Sequence, residues 1–88
     1  MTAKELLSKV ENIYSDIYKG KYRQFTIDTV EDVIDELYNH ITDSFQVLTD
    51  EEVIGSLIYK IETIMEICDQ HMLDYKIFEE LLYLMEEN

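Results

Sequence analysis

Eighty-eight residues with 20 acidic and 7 basic side chains carry a formal charge of -13 at pH 7. There is no proline, no tryptophan and one cysteine, which excludes an internal disulfide framework and a Cys/His zinc cluster. Hydrophobic residues make up 47% of the chain, enough to build a core in one domain spanning residues 1–88 and to argue against intrinsic disorder.

The charge is unevenly distributed. Residues 1–23 hold Lys4, Lys9, Lys19, Lys21 and Arg23 against Glu5, Glu11 and Asp16, which is +2. The remaining residues hold Lys60, Lys76 and 17 carboxylates, which is -15. Such a surface keeps a small protein soluble or faces a basic partner. It repels nucleic acid and anionic lipid, so neither is expected as a direct ligand. The longest uncharged stretch, Val53 to Tyr59, is far shorter than the roughly 20 apolar residues of a spanning helix. The opening MTAKELLSKVE lacks the apolar block of a secretory signal. A cytoplasmic location is expected.

The first predicted helix runs over residues 3–18. Leu6, Leu7, Val10, Ile13, Tyr14, Ile17 and Tyr18 recur at steps of three and four. Thr2 with Glu5 reads as a capping box, and Met1 with Leu6 as a hydrophobic staple. Lys19 and Gly20 suit the other end, the glycine as a left-handed stop.

The second helix is expected over residues 27–42, with Val30, Val33, Ile34, Leu37, Tyr38 and Ile41 on one face. Thr26 reads as its N-cap and Phe25 with Val30 as its staple, while a start at Thr29 competes. Residues 21–26 read as either an extended loop or helix.

The third helix is expected over residues 50–69, with a Thr49–Glu52 capping box and a Leu48–Val53 staple. Its stripe is Val53, Ile54, Leu57, Ile58, Ile61, Ile64, Met65 and Cys68. The fourth is expected over residues 75–86, capped by Asp74 and stapled by Leu73 and Phe78. Its stripe is Ile77, Phe78, Leu81, Leu82 and Met85. Short links, including 43–48 and 70–73, make an antiparallel up-down four-helix bundle the simplest all-α architecture.

Chemistry is sparse. No Glu-x-x-His, His-Glu-x-x-His or calcium-loop pattern occurs, so no metal and no cofactor are expected. His40 and His71 read as cap or surface residues, without a nearby nucleophile in sequence. Cys68 reads as core filler near a helix C-terminus, where the dipole opposes a thiolate. An enzyme is therefore not expected. Seven tyrosines remain, a residue favoured at interfaces. Tyr14, Tyr18 and Tyr38 fit core stripes, whereas Tyr22, Tyr59, Tyr75, Tyr83, Ile67 and Leu84 fall off them. That surplus predicts a weak homodimer through the third and fourth helices.

Three stretches carry a resemblance. They are Glu5-Leu6-Leu7 through Asn12-Ile13-Tyr14-Ser15-Asp16-Ile17, then Val53-Ile54-Gly55-Ser56-Leu57-Ile58-Tyr59-Lys60-Ile61, then Tyr75-Lys76-Ile77-Phe78-Glu79-Glu80-Leu81-Leu82. Their layout resembles the enterocin A-type (class IIa) bacteriocin immunity proteins, from Ala3 to Met85. The resemblance implies a cytoplasmic four-helix bundle that protects its cell by recognising a toxin–receptor complex. Members are often basic and commonly carry a tail after the last helix, whereas this sequence is acidic and ends at Asn88. The matching late segment offers Tyr75, Lys76, Glu79, Glu80, Tyr83 and Glu86 as partner contacts. The acidity supports a second expectation, an inhibitor, phage-encoded or otherwise, that imitates nucleic acid and binds a basic nucleic-acid-binding protein.

Overall fold

The computed structural model describes residues 1–45 and 47–87; Gln46, in the predicted 43–48 link, and Asn88, the last residue of the predicted domain, lie outside them. The described chain forms α1 (Ala3–Tyr18), α2 (Gln24–Thr42), α3 (Asp50–Ile67) and α4 (Leu73–Glu86). No strand occurs among the described residues. The helices pack as a bundle, α1 most extensively on α2 and α3 on α4, within an envelope of 40 × 25 × 19 Å.

α1 has the bounds its periodicity predicts. The Thr2 hydroxyl accepts the Glu5 amide at 3.2 Å and donates to the Glu5 carboxylate at 3.1 Å. α3 begins at Asp50 with the reciprocal capping box formed by Thr49 and Glu52. It ends at Ile67, two residues before the expected end, because Cys68 turns to an extended backbone with φ -96° and ψ 144°.

Gly20 corrects its expected role. No described residue has a positive φ, and Lys19 closes α1 in a right-handed conformation with φ -92° and ψ -6°. The Gly20 amide then donates to the Ile17 carbonyl at 3.0 Å. The glycine makes room for Tyr22 instead: a Cβ there would lie 2.8 Å from the Tyr22 ring.

α2 begins at Gln24, three residues before the expected start, so residues 24–26 are helix and Thr26 is not its N-cap. The cap position is Arg23, which offers no side-chain capping bond. Its amide is satisfied from another helix. Asp74 of α4 accepts the Arg23 N–H at 3.0 Å and the Thr26 hydroxyl at 2.6 Å. A free helix start needs such acceptors, and this one takes them from 51 positions away in sequence. Phe25 therefore lies inside the helix rather than before it, half exposed, and meets Phe78 edge-on at 6.3 Å instead of acting as a staple for Val30.

The same bond corrects Asp74. α4 starts at Leu73, two residues early, behind Met72, which makes no side-chain cap. Asp74 sits in the first turn of α4 with its carboxylate committed to α2.

The core is a narrow seam. Ala3, Leu6, Val10 and Ile17 of α1 meet Val30, Val33 and Leu37 of α2, Val53, Ile54, Leu57 and Ile61 of α3, and Ile77, Phe78, Leu81 and Met85 of α4. On α2 the buried positions Thr26, Val30, Val33, Leu37 and His40 alternate steps of four and three, the spacing of a coiled-coil seam, with Thr29 buried beside them. Tyr38 follows Leu37 by one residue, about 100° around the helix, and is 58% exposed. Tyr18 follows Ile17 in the same way and is 66% exposed. Both tyrosines leave the stripes assigned to them. Leu84 moves the other way and packs, half-buried, against the core.

Candidate functional site

Two carboxylates join the ends of different helices. Asp50, the first residue of α3, accepts the Ala3 amide at 3.0 Å with one oxygen and meets His40 Nε2 at 2.8 Å with the other. It thereby joins the starts of α1 and α3 to the last turn of α2. The Ala3 N–H bond and then the His40 bond hold the Asp50 carboxyl below its ordinary value. Asp74 performs the equivalent joining of the starts of α2 and α4. His40 is buried and bound to Asp50, so its surface reading is corrected: its ring has become part of the scaffold. His71 is exposed in the α3–α4 turn, where its amide donates to the Asp69 carboxylate at 2.9 Å. Cys68 packs half-buried against the core. Among the described residues, no group of three or more His, Cys, Asp or Glu is placed to hold a metal ion.

The six predicted contact residues divide. Lys76, Glu79, Glu80 and Tyr83 line one open groove of about 710 Å³ between α4 and α1. Their spacing puts them on one side of α4, since residues three and four apart are neighbours on a helix. Tyr75 is half-buried at the start of α4 and borders other cavities, beside Cys68 and Asp69. Glu86 is exposed but is not among the groove residues.

α1 supplies Lys9, Asn12 and Ile13 to the same groove, and α4 adds Leu84. Leu84 belongs to the off-stripe apolar surplus of the fourth helix, whereas the three α1 residues enter only through packing between helices. Lys9 and Asn12 carry no distinguishing mark in the sequence, and Ile13 belongs to the apolar stripe of the first helix. The groove is apolar along Ile13, Tyr83 and Leu84 and carries both charge signs on its other residues. That composition suits a recognition surface.

A second cavity, of about 440 Å³, opens where α2 meets α3; its residues include His40, Asp43, Val47, Leu48 and Val53. Leu48 and Val53, the expected staple pair, share it, with Leu48 half exposed. Val47, in the cavity lining, is 90% exposed, and Phe45, two positions earlier in the chain, is 85% exposed.

Outside the α1–α4 groove, α2 presents exposed Asp28, Glu31, Asp32, Asp35 and Glu36. Glu31 accepts the Tyr14 hydroxyl of α1 at 2.8 Å, and that bond raises the phenol above its ordinary value. Lys60 of α3 approaches Glu36 at 3.4 Å. No helix is long and apolar enough to cross a membrane among the described residues. No protein-family model, curated protein or solved structure matches the chain.

Proposed function

We propose that this chain is a non-catalytic protein-binding module of the bacteriocin-immunity type, acting in the cytoplasm and protecting the cell from a peptide toxin by recognising the toxin–receptor complex. The observation that carries the reading is the convergence of Lys76, Glu79, Glu80 and Tyr83 with Lys9 and Ile13 on one groove. Tyr83, 64% exposed, is the anchor, because tyrosine combines a large apolar ring with a polar tip. The flanking charges select the partner and its orientation.

The antiparallel up-down order of the helices belongs to this proposal. The Asp50 bonds that join the starts of α1 and α3 to the end of α2 support it, as do the Asp74 bonds between the starts of α2 and α4. Weak self-association through α3 and α4 belongs to it as well, supported by the exposure of Tyr59, Ile67 and Leu73. Sedimentation showing only monomer at high concentration removes that last element.

The test is protection. Sensitive cells expressing the chain survive at least one member of a class IIa bacteriocin panel. The pair Lys76→Glu and Tyr83→Ala abolishes that survival while the purified variant keeps its unfolding temperature. Killing by every member of the panel overturns the reading.

One observation favours a second reading, an acidic inhibitor of a basic nucleic-acid-binding protein. Residues 24–59 hold nine carboxylates and no lysine or arginine, and five of those acids form the exposed ridge of α2. Inhibition that weakens at least ten-fold between low and high salt is expected of it. Salt-independent binding removes it.

A further inference from the structure

The α2–α3 end of the bundle combines two features that seldom coincide on a free surface. Phe45 and Val47 are almost wholly exposed and Leu48 is half exposed, three large apolar side chains within four positions. Single exposed apolar residues are ordinary, but a contiguous group marks an interaction site. Val47 and Leu48 line the cavity of about 440 Å³ together with Val53, room for an entering apolar side chain, and Phe45 lies two positions before Val47 in the chain.

The charge around the cavity is predominantly acidic, with His40 in its lining and the chain's amino terminus acting on Asp50. Glu36 and Asp43 line the cavity. Asp50, Glu51 and Glu52 open α3 immediately beyond it. Within residues 24–59 no lysine or arginine offsets them. Lys60 reaches Glu36 at 3.4 Å with both side chains partly exposed, a weak pair that leaves the field negative.

We infer that this end of the bundle docks a cationic amphipathic helical segment of a protein partner, one apolar side chain entering the cavity and flanking lysines or arginines meeting the carboxylates. Charge complementarity selects this occupant. A second copy seated here opposes carboxylates with carboxylates, and anionic lipid or nucleic acid is repelled by the same field. The apolar anchor separates this mode from imitation of a polyanion, which requires no buried side chain. The surface is distinct from the α1–α4 groove, and the inference holds whether or not that groove serves immunity.

The experiment titrates the purified chain with a labelled 18-residue helical peptide of leucine and lysine, and with its leucine/glutamate counterpart, by fluorescence anisotropy. The leucine/lysine peptide binds saturably and the counterpart does not. The double variant Phe45→Ser, Val47→Ser leaves the charge at -13, so any purely electrostatic association survives it. A loss of affinity of ten-fold or more in that variant supports the docking site, and a smaller loss overturns it. Tyr83→Ala leaves peptide affinity unchanged, which separates this site from the groove. Amide shift mapping on the unaltered chain gives a readout independent of the variant's folding. Shifts confined to residues 36–56 support the inference, and shifts spread over all four helices overturn it. A dimer that the double variant dissolves also overturns it, because the occupant is then a second copy.

Discussion

The Asp74 carboxylate of α4 accepts the Thr26 hydroxyl of α2 at 2.6 Å across 48 positions of sequence. The same oxygen accepts the Arg23 amide at 3.0 Å. Thr26 is fully buried and Asp74 is 8% exposed, so water cannot readily replace either partner. Asp74→Ala leaves a buried hydroxyl and a helix-start amide without their acceptor. Losing bonds to a charged group costs about 2–3 kcal/mol, a large share of a total stability on the order of 5–15 kcal/mol. Thr26→Val removes one bond of the two and costs about 1 kcal/mol. Urea unfolding of both single variants and the double variant measures the coupling. Strictly additive losses would show that the two side chains do not act together.

Acid weakens the joint that Asp50 makes with α1 and α2. The Asp50 carboxyl is held below its ordinary 3.8 by the Ala3 amide and then by His40. The unfolded chain therefore binds this proton more readily than the folded one. The stabilisation is complete above the unfolded value and disappears as pH falls through the lower folded value. Asp50→Asn is expected to destabilise the protein near neutrality and to lose that disadvantage in acid. Urea midpoints for both proteins from pH 2.5 to 7 check it; curves that stay parallel throughout contradict the assignment.

Alkali acts on the α1–α2 contact. The Tyr14 phenol is raised above 10.0, first by its bond to Glu31 and then by desolvation and neighbouring carboxylates. Folding favours the protonated phenol, so this contribution is present below the unfolded value and is lost as pH rises through the folded one. Tyrosinate absorbance shows the effect. Glu31→Gln should bring one tyrosine of the seven to a lower titration midpoint, whereas Asp35→Asn should not.

The two glycines respond oppositely to alanine. Gly55 lies within α3, and a Cβ there meets nothing within 4 Å. Gly55→Ala stabilises by about 0.5–1 kcal/mol, because alanine loses less backbone freedom in a helix. At Gly20 the added methyl meets the Tyr22 ring at 2.8 Å. Gly20→Ala lowers the unfolding temperature by several degrees, since about 1 kcal/mol corresponds to about 4–8 °C in a domain of this size. Calorimetry on the two variants provides the comparison; a gain at Gly20 shows that Tyr22 moves aside freely.

The sequence by itself determined four helices and most of their core. Steps of three and four place Leu6, Val10, Leu57, Ile61, Phe78 and Leu81 inside. Local hydrogen-bonding rules locate Thr2 and the Thr49–Glu52 box, because both partners lie within one turn. Four of the six anticipated contacts share a groove because residues along one side of α4 are fixed by helical geometry alone. Tertiary structure decided what depends on a second helix. Asp74 and Thr26 each resembled a local cap, yet they bond to each other, and α2 gains three residues as a result. His40 is buried because Asp50 is there to meet it. Tyr18 and Tyr38 are apolar enough for the core but lie one residue beyond a seam that is too narrow to include them. Lys9 and Asn12 joined the groove only once α1 lay beside α4. A repeat along one chain encodes which side of a helix turns inward; the partner that satisfies a polar group at its end is set by proximity in space.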